Sequence, residues 1–184
     1  LEDHGASLFT KAIKSIRHLA PEISIEVLTP DFWGGGTDSH STAKLQRERL
    51  EEVLKSNPVC FNHNLETVER LQKEVRRGAT YKHSLSLLHA ARKIAPNIPT
   101  KSGIMLGLGE NKEEIIKTLK DLRSVECQRV TIGQYLRPSL VHIPVQHYWT
   151  PDEFKELEDI SYSLGFTKVN SGPLVRSSYH AEIG

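Results

Sequence analysis

Two short runs hold most of the side chains able to do chemistry: Asn62-His63-Asn64-Leu65-Glu66, and the glycines Gly103, Gly107 and Gly109 within TKSGIMLGLGE, residues 100–110. Amides can hold hydroxyls, and a carboxylate such as Glu66 can accept from both hydroxyls of a ribose. Glycines carry no Cβ, so a flat ring or a phosphate can approach the main chain closely. Both runs also have plainer readings. The first fits an Asx turn that caps a helix at Glu66. The second fits a strand-to-helix corner whose glycines only supply positive φ. A third polar group, Arg176-Ser177-Ser178-Tyr179-His180, lies near the end of the chain. Taken alone it is a polar tail, and no G-x-S-x-G elbow surrounds Ser178. The 9 histidines and 2 cysteines form neither an H-x-x-x-H nor a C-x-x-C pair, so His63 is a weak zinc ligand. Cys60 and Cys127 sit in apolar surroundings and read as packing residues.

The elements that must position these groups follow from periodicity. Helical spacing covers Ala6–Leu19, with Leu8, Phe9, Ala12, Ile13, Ile16 and Leu19 on one face. Ile23–Leu28 alternates as a strand, Trp33–Ser41 is a Gly/Ser/Asp loop, and Lys44–Ser56 is a charged amphipathic helix. A short strand at Val59–Phe61 runs into the Asn-rich segment, followed by helices over Glu66–Val75 and Tyr81–Ala95. Ile98–Leu106 is a buried strand that ends in the glycine corner. Asn111 with Glu114 forms a capping box that opens a helix to Ser124. Arg129–Tyr135 is the next strand. Thr150-Pro151-Asp152-Glu153 starts a helix that runs to about Leu164, and a last strand lies near Thr167–Val169.

Strands alternating with helices imply parallel β-structure with right-handed crossovers, and such sheets carry their sites at the C-terminal strand ends. Every strand here ends in polar residues. A complete eight-unit barrel needs roughly 250 residues, so a chain of 184 residues accommodates part of one. The expected organisation is a partial barrel over residues 1–170, comprising four βα units and a final helix, then a tail over 171–184. A net charge of +1 with both signs interspersed gives no argument for nucleic acid or a membrane surface. Two cysteines are too few for a disulfide framework and suggest a reducing, cytoplasmic setting. The chain opens on Leu1, which reads as a piece of something longer.

Taken together, IEVLTPDFWGG, CFNHNLETV, TKSGIMLGLGE, RVTIGQYLRPS and SGPLVRSSYHA resemble the lipoyl synthase family, in order and from about residue 1 to 182. NHNLET alone is also similar to biotin synthase. The resemblance implies a radical S-adenosylmethionine enzyme on a partial (β/α)6 barrel. It would insert two sulfur atoms at C6 and C8 of an octanoyl chain held on a lysine of a carrier domain. The implied carriers are 2-oxoacid dehydrogenase E2 subunits and the glycine cleavage H protein. Two [4Fe-4S] clusters are implied, one to cleave S-adenosylmethionine and an auxiliary one to supply sulfur.

Carried onto this sequence, the resemblance makes Ser178 an oxygen ligand to the auxiliary cluster, with Ser177 as the alternative. Arg176 would support it through charge-assisted hydrogen bonds. Gly103, Met105 and Gly107 would lie against adenine, and Asn64 and Glu66 against ribose. Lys101 and Arg76 become candidates for the S-adenosylmethionine carboxylate. Asn62, Gln134 and Tyr135 would face substrate. Both cysteine motifs of the family and two early barrel strands are absent from the chain, so it is expected to be inactive alone and aggregation-prone at its exposed sheet edge. The competing expectations are a biotin synthase relative, or a non-catalytic barrel piece that binds a carrier domain or nucleotide.

Overall fold

A computed structural model describes residues 1–76, Gly78 and 80–178. Its centre is one sheet of five parallel strands: β1 (Glu26–Leu28), β2 (Cys60–Asn62), β3 (Thr100–Leu106), β4 (Arg129–Gln134) and β5 (Lys168–Gly172). Spatial order equals chain order, β1-β2-β3-β4-β5. A doubly wound sheet reverses its order at a switch point. This one does not, so its crossovers all fall on one side and the sheet forms an arc of a (β/α) barrel.

Among the described residues six α-helices accompany it: α1 (Ala6–Leu19), α2 (Ser39–Lys55), α3 (Gln72–Val75), α4 (Tyr81–Ile94), α5 (Lys112–Ser124) and α6 (Pro151–Ser163). Among the described residues, no helix is long and apolar enough to cross a membrane. The capping signals work as the spacing predicts. Asn111 accepts from Glu114 N while Glu114 reaches back, and Thr150 with Glu153 does the same ahead of Pro151.

Strand register sorts the side chains into two faces. Val27, Phe61, Ile104, Val130, Ile132 and Val169 fall on one face and are all buried. With Leu50, Leu87, Leu88, Ile115, Leu119 and Phe154 from the helices they belong to one core. The opposite face carries Glu26, Asn62, Lys101, Gly103, Met105, Thr131 and Gly133. It is polar and short of side-chain bulk, which makes it the inner wall.

Several expected boundaries shift. α2 begins at Ser39, ahead of the expected Lys44, because Asp38 and Ser41 form a capping box inside the glycine-rich loop. No helix begins at Glu66. Glu66 has φ 67° and bridges to Ile104, and only a 3-10 turn (Glu69–Leu71) and α3 follow. The Asx-turn reading fails with it. The expected apolar face of α1 is only partly covered, since Ala6, Thr10 and Ile13 are buried whereas Leu8, Ile16 and Leu19 are exposed.

Candidate functional site

The chain leaves β2 and folds back along β3 rather than entering a helix. Glu66 N donates to Gly103 O (3.0 Å), Met105 N donates to Glu66 O (2.8 Å), and Leu65 N donates to Ser102 Oγ (3.2 Å). Gln72 Nε2 holds the bend from outside through Leu65 O (2.7 Å) and Thr67 O (2.9 Å). Leu65 is buried in the core, while Asn64 and Glu66 on either side of it line a cleft of about 300 Å³. Gly103 and Met105 of β3 with Thr131 and Gly133 of the neighbouring β4 line its inner side, and Arg176, which is exposed, and Ser177 lie at its rim.

Gly103 is where absence of a side chain matters. A Cβ there would lie 2.8 Å from both Asn64 Oδ1 and Thr131 Oγ1. Asn64 Oδ1 is itself buried without a hydrogen-bond partner. Buried acceptors are nearly always satisfied, so an unpaired one beside a bare glycine marks a place for a ligand's donor. Burial pushes the Glu66 carboxyl up, against a hydrogen bond from Asn64 and the charge of Arg76.

Behind the cleft, His63 is 1% exposed. Its Nδ1 lies 2.9 Å from Thr29 O, a pure acceptor, so Nδ1 carries the proton. Nε2 then accepts from Ser84 Oγ (2.9 Å) and Arg76 Nη2 (3.2 Å), while Arg76 Nη1 donates to Ser84 Oγ (2.7 Å). Burial drops the imidazole pKa to about 4, with the Arg76 charge adding to the effect. His63 is a neutral structural histidine that helps orient Arg76.

Among the expected site residues, Asn64, Glu66, Gly103, Met105, Gln134, Tyr135 and Arg176 share the cleft with Ser177. Ser178 is exposed next to that lining. Tyr179 and His180 lie outside the described residues. Gly107 does not line the cleft, since a Cβ there would meet the Gln134 amide and the His147 carbonyl. The Gln134 amide is engaged: Nε2 donates to Tyr135 O (3.1 Å) and His147 O (3.1 Å), and Oε1 accepts from Trp149 N (3.0 Å). Tyr135 OH donates to Ile143 O at 2.9 Å. Both side chains therefore hold the 136–149 connection in place.

Lys101 Nζ donates to Glu26 Oε1 (2.9 Å), Glu26 Oε2 (3.2 Å) and Ser177 O (2.6 Å). Asn62 Nδ2 also reaches Glu26 Oε1 (3.2 Å), leaving Asn62 Oδ1 buried and unpaired. Glu110 was not among the expected residues. Its carboxylate accepts from Gly107 N (2.6 Å), Leu108 N (2.9 Å) and Trp149 Nε1 (3.0 Å). It cements the glycine corner and its covering connection. An acidic residue closing a run of backbone donors was the available signal.

No group of three His, Cys, Asp or Glu able to hold a metal occurs among the described residues. Cys60 and Cys127 are fully buried, and burial pushes both thiols up to about 12, far from thiolate character.

A family model described as the Radical SAM superfamily matches residues 4–122. Over 183 residues the chain is 69% identical to "Lipoyl synthase 2" of Prochlorococcus marinus strain SARG, covering 100% of this chain and 59% of that protein. It is 67% identical over 181 residues to the protein of the same name in P. marinus strain MIT 9313, covering 98% and 59% respectively. It thus spans about 59% of the length of these relatives. Among solved structures, the HMG-CoA lyase from Brucella melitensis superposes with a TM-score of 0.53 at 14% identity, over 85% of this chain and 48% of that one. That likeness concerns the fold alone.

Proposed function

The chain belongs to the Radical SAM superfamily, and on that premise we propose that it supplies the nucleoside-binding wall and terminal serine segment of a lipoyl synthase. The substrate would be an octanoyl-lysine on a carrier domain, either a 2-oxoacid dehydrogenase E2 subunit or the glycine cleavage H protein, and the reaction would be cytoplasmic. When bound, S-adenosylmethionine supplies the group that takes hydrogen from C6 and C8 of the octanoyl chain. The chain's own residues bind and orient. Gly103 offers bare main chain to the adenine ring. Asn64 Oδ1 accepts from a nucleoside donor and Glu66 from ribose hydroxyls, while Arg176 and Ser177 close the rim. Two [4Fe-4S] clusters belong to this reading. Among the described residues the ligand candidate is Ser178, which is exposed, with Ser177 before it as the alternative.

The observation that carries the reading is the unpaired, buried Asn64 Oδ1 facing Gly103 in the cleft. In a longer, cluster-loaded protein containing this chain, Gly103→Ala and Asn64→Ala should each weaken S-adenosylmethionine binding about tenfold or more in equilibrium dialysis. Unchanged affinity with an unchanged melting temperature overturns the site. Offering an octanoylated carrier peptide and dethiobiotin side by side separates lipoyl formation from biotin-type chemistry, and the former is expected.

A further inference from the structure

Beyond β5 the chain turns back across the inner wall. Val175 N donates to Gly172 O (3.1 Å), and the Val175 carbonyl passes so close over β4 that any Cβ on Gly133 would collide with it. Val175 is 8% exposed, and its carbonyl accepts from Arg176 Nη1 at 2.7 Å. Two residues later the Ser177 carbonyl accepts from Lys101 Nζ at 2.6 Å. An ammonium has three donors, and the other two contacts of Lys101 go to the Glu26 carboxylate. Lys101 is 5% exposed, and the pair is shielded from solvent, so the contact to Ser177 is charge-assisted and not weakened by water. A ligand carboxylate could reach Lys101 only by displacing Glu26 or the terminal segment.

The geometry points to a two-point clasp, with Gly133 and Lys101 as positioning residues that fix the segment Val175–Ser178 against the inner wall. Gly133 provides the space, and Lys101, oriented by Glu26, provides the grip. The clasp itself is independent of the reaction, whereas its consequence rests on the reading of Ser178 given above. Ser178 carries an exposed hydroxyl directly after the gripped carbonyl, so its placement is set by β3 and β4 rather than by its own contacts.

Trypsin reads the clasp directly, because the bond after Arg176 lies between the two points. In the full chain, cleavage there should be slow, and the Val175 amide, which donates to Gly172 O, should be protected from hydrogen exchange. Lys101→Met should speed both by about tenfold, since a hydrogen bond to a charged group is lost. It also leaves Glu26 buried without a partner, so Lys101→Met with Glu26→Gln is the matched variant. Gly133→Ala should free the segment from the other point, and Lys101→Arg should restore protection. Unchanged cleavage and exchange in Gly133→Ala and in the double variant overturns the clasp. In the cluster-loaded longer protein, the double variant should lower kcat for an octanoylated peptide with little change in KM. A freed segment with normal kcat keeps the clasp and removes the role of Ser178.

Discussion

His63 should make this fold acid-sensitive well above the pH at which carboxylates titrate. Its ring is neutral and buried, with a native pKa of about 4 against an ordinary 6.5. Between those values the unfolded chain binds a proton that the native ring refuses. Stability is therefore present above pH 6.5 and lost as pH falls toward 4. Each unit of pH in that window favours unfolding by about 1.4 kcal/mol, and the whole window is worth about 3 kcal/mol, a large part of a typical domain's stability. Thr29 O and Asp31 favour the protonated ring and Arg76 opposes it, so the burial effect dominates. The assay is urea unfolding of the parent and His63→Gln at pH 7.5, 5.5 and 4.5. The variant should cost about 2 kcal/mol at pH 7.5 through lost hydrogen bonds. Its disadvantage should then shrink by about 1.4 kcal/mol at pH 5.5 and further at 4.5. Carboxylates shared by both proteins cancel in the difference. A disadvantage that stays constant or grows on acidification would refute the neutral, Nε2-accepting histidine.

Glu110→Gln should destabilise by about 2–3 kcal/mol, because an amide cannot accept from Gly107 N, Leu108 N and Trp149 Nε1 together without presenting donor to donor; hydrogen exchange should rise across 136–149. Gly107→Ala, with φ 103° and the Gln134 amide and His147 carbonyl in the way, should cost about 2–4 kcal/mol in urea unfolding. Gly5→Ala, at φ 91° with open space around it, should cost about 1 kcal/mol. Equal costs would show that backbone angle alone decides. S-adenosylmethionine affinity of the cluster-loaded longer protein should fall as pH drops through the raised Glu66 pKa, above the ordinary 4.5, because only the ionised carboxylate accepts two hydroxyls. Glu66→Gln should flatten that profile.

The legible parts of this molecule are those written in local spacing. Asn111 with Glu114, and Thr150 with Pro151 and Glu153, state their helix starts within four residues, and the structure follows them. The same signal at Asp38 and Ser41 was masked by surrounding glycines and serines. Glu66 misleads for a different reason. A good helix former there adopts φ 67° because the Gly103 and Met105 backbone offers it a ladder, and tertiary pairing outweighs propensity. Asn64 and Gly103 were readable as candidates from their residue types, whereas Ser177 was singled out only through the family resemblance. What Lys101 and Glu110 do was not, since their partners lie 75 and 39 residues away, at Glu26 and Trp149. No periodicity encodes such contacts.

On the inner wall, Gly103 faces Thr131, and Met105, Gly133 and Gly172 share one level of the register. The hollow therefore exists by omission, with peptide edges and one slim thioether where branched side chains would ordinarily stand. Chance substitution at these three glycines can subtract volume and never add it. Divergence toward bulkier guests is consequently barred along the strands and left to the rim, where the 136–149 connection and the chain's last turn can be exchanged without rebuilding the wall.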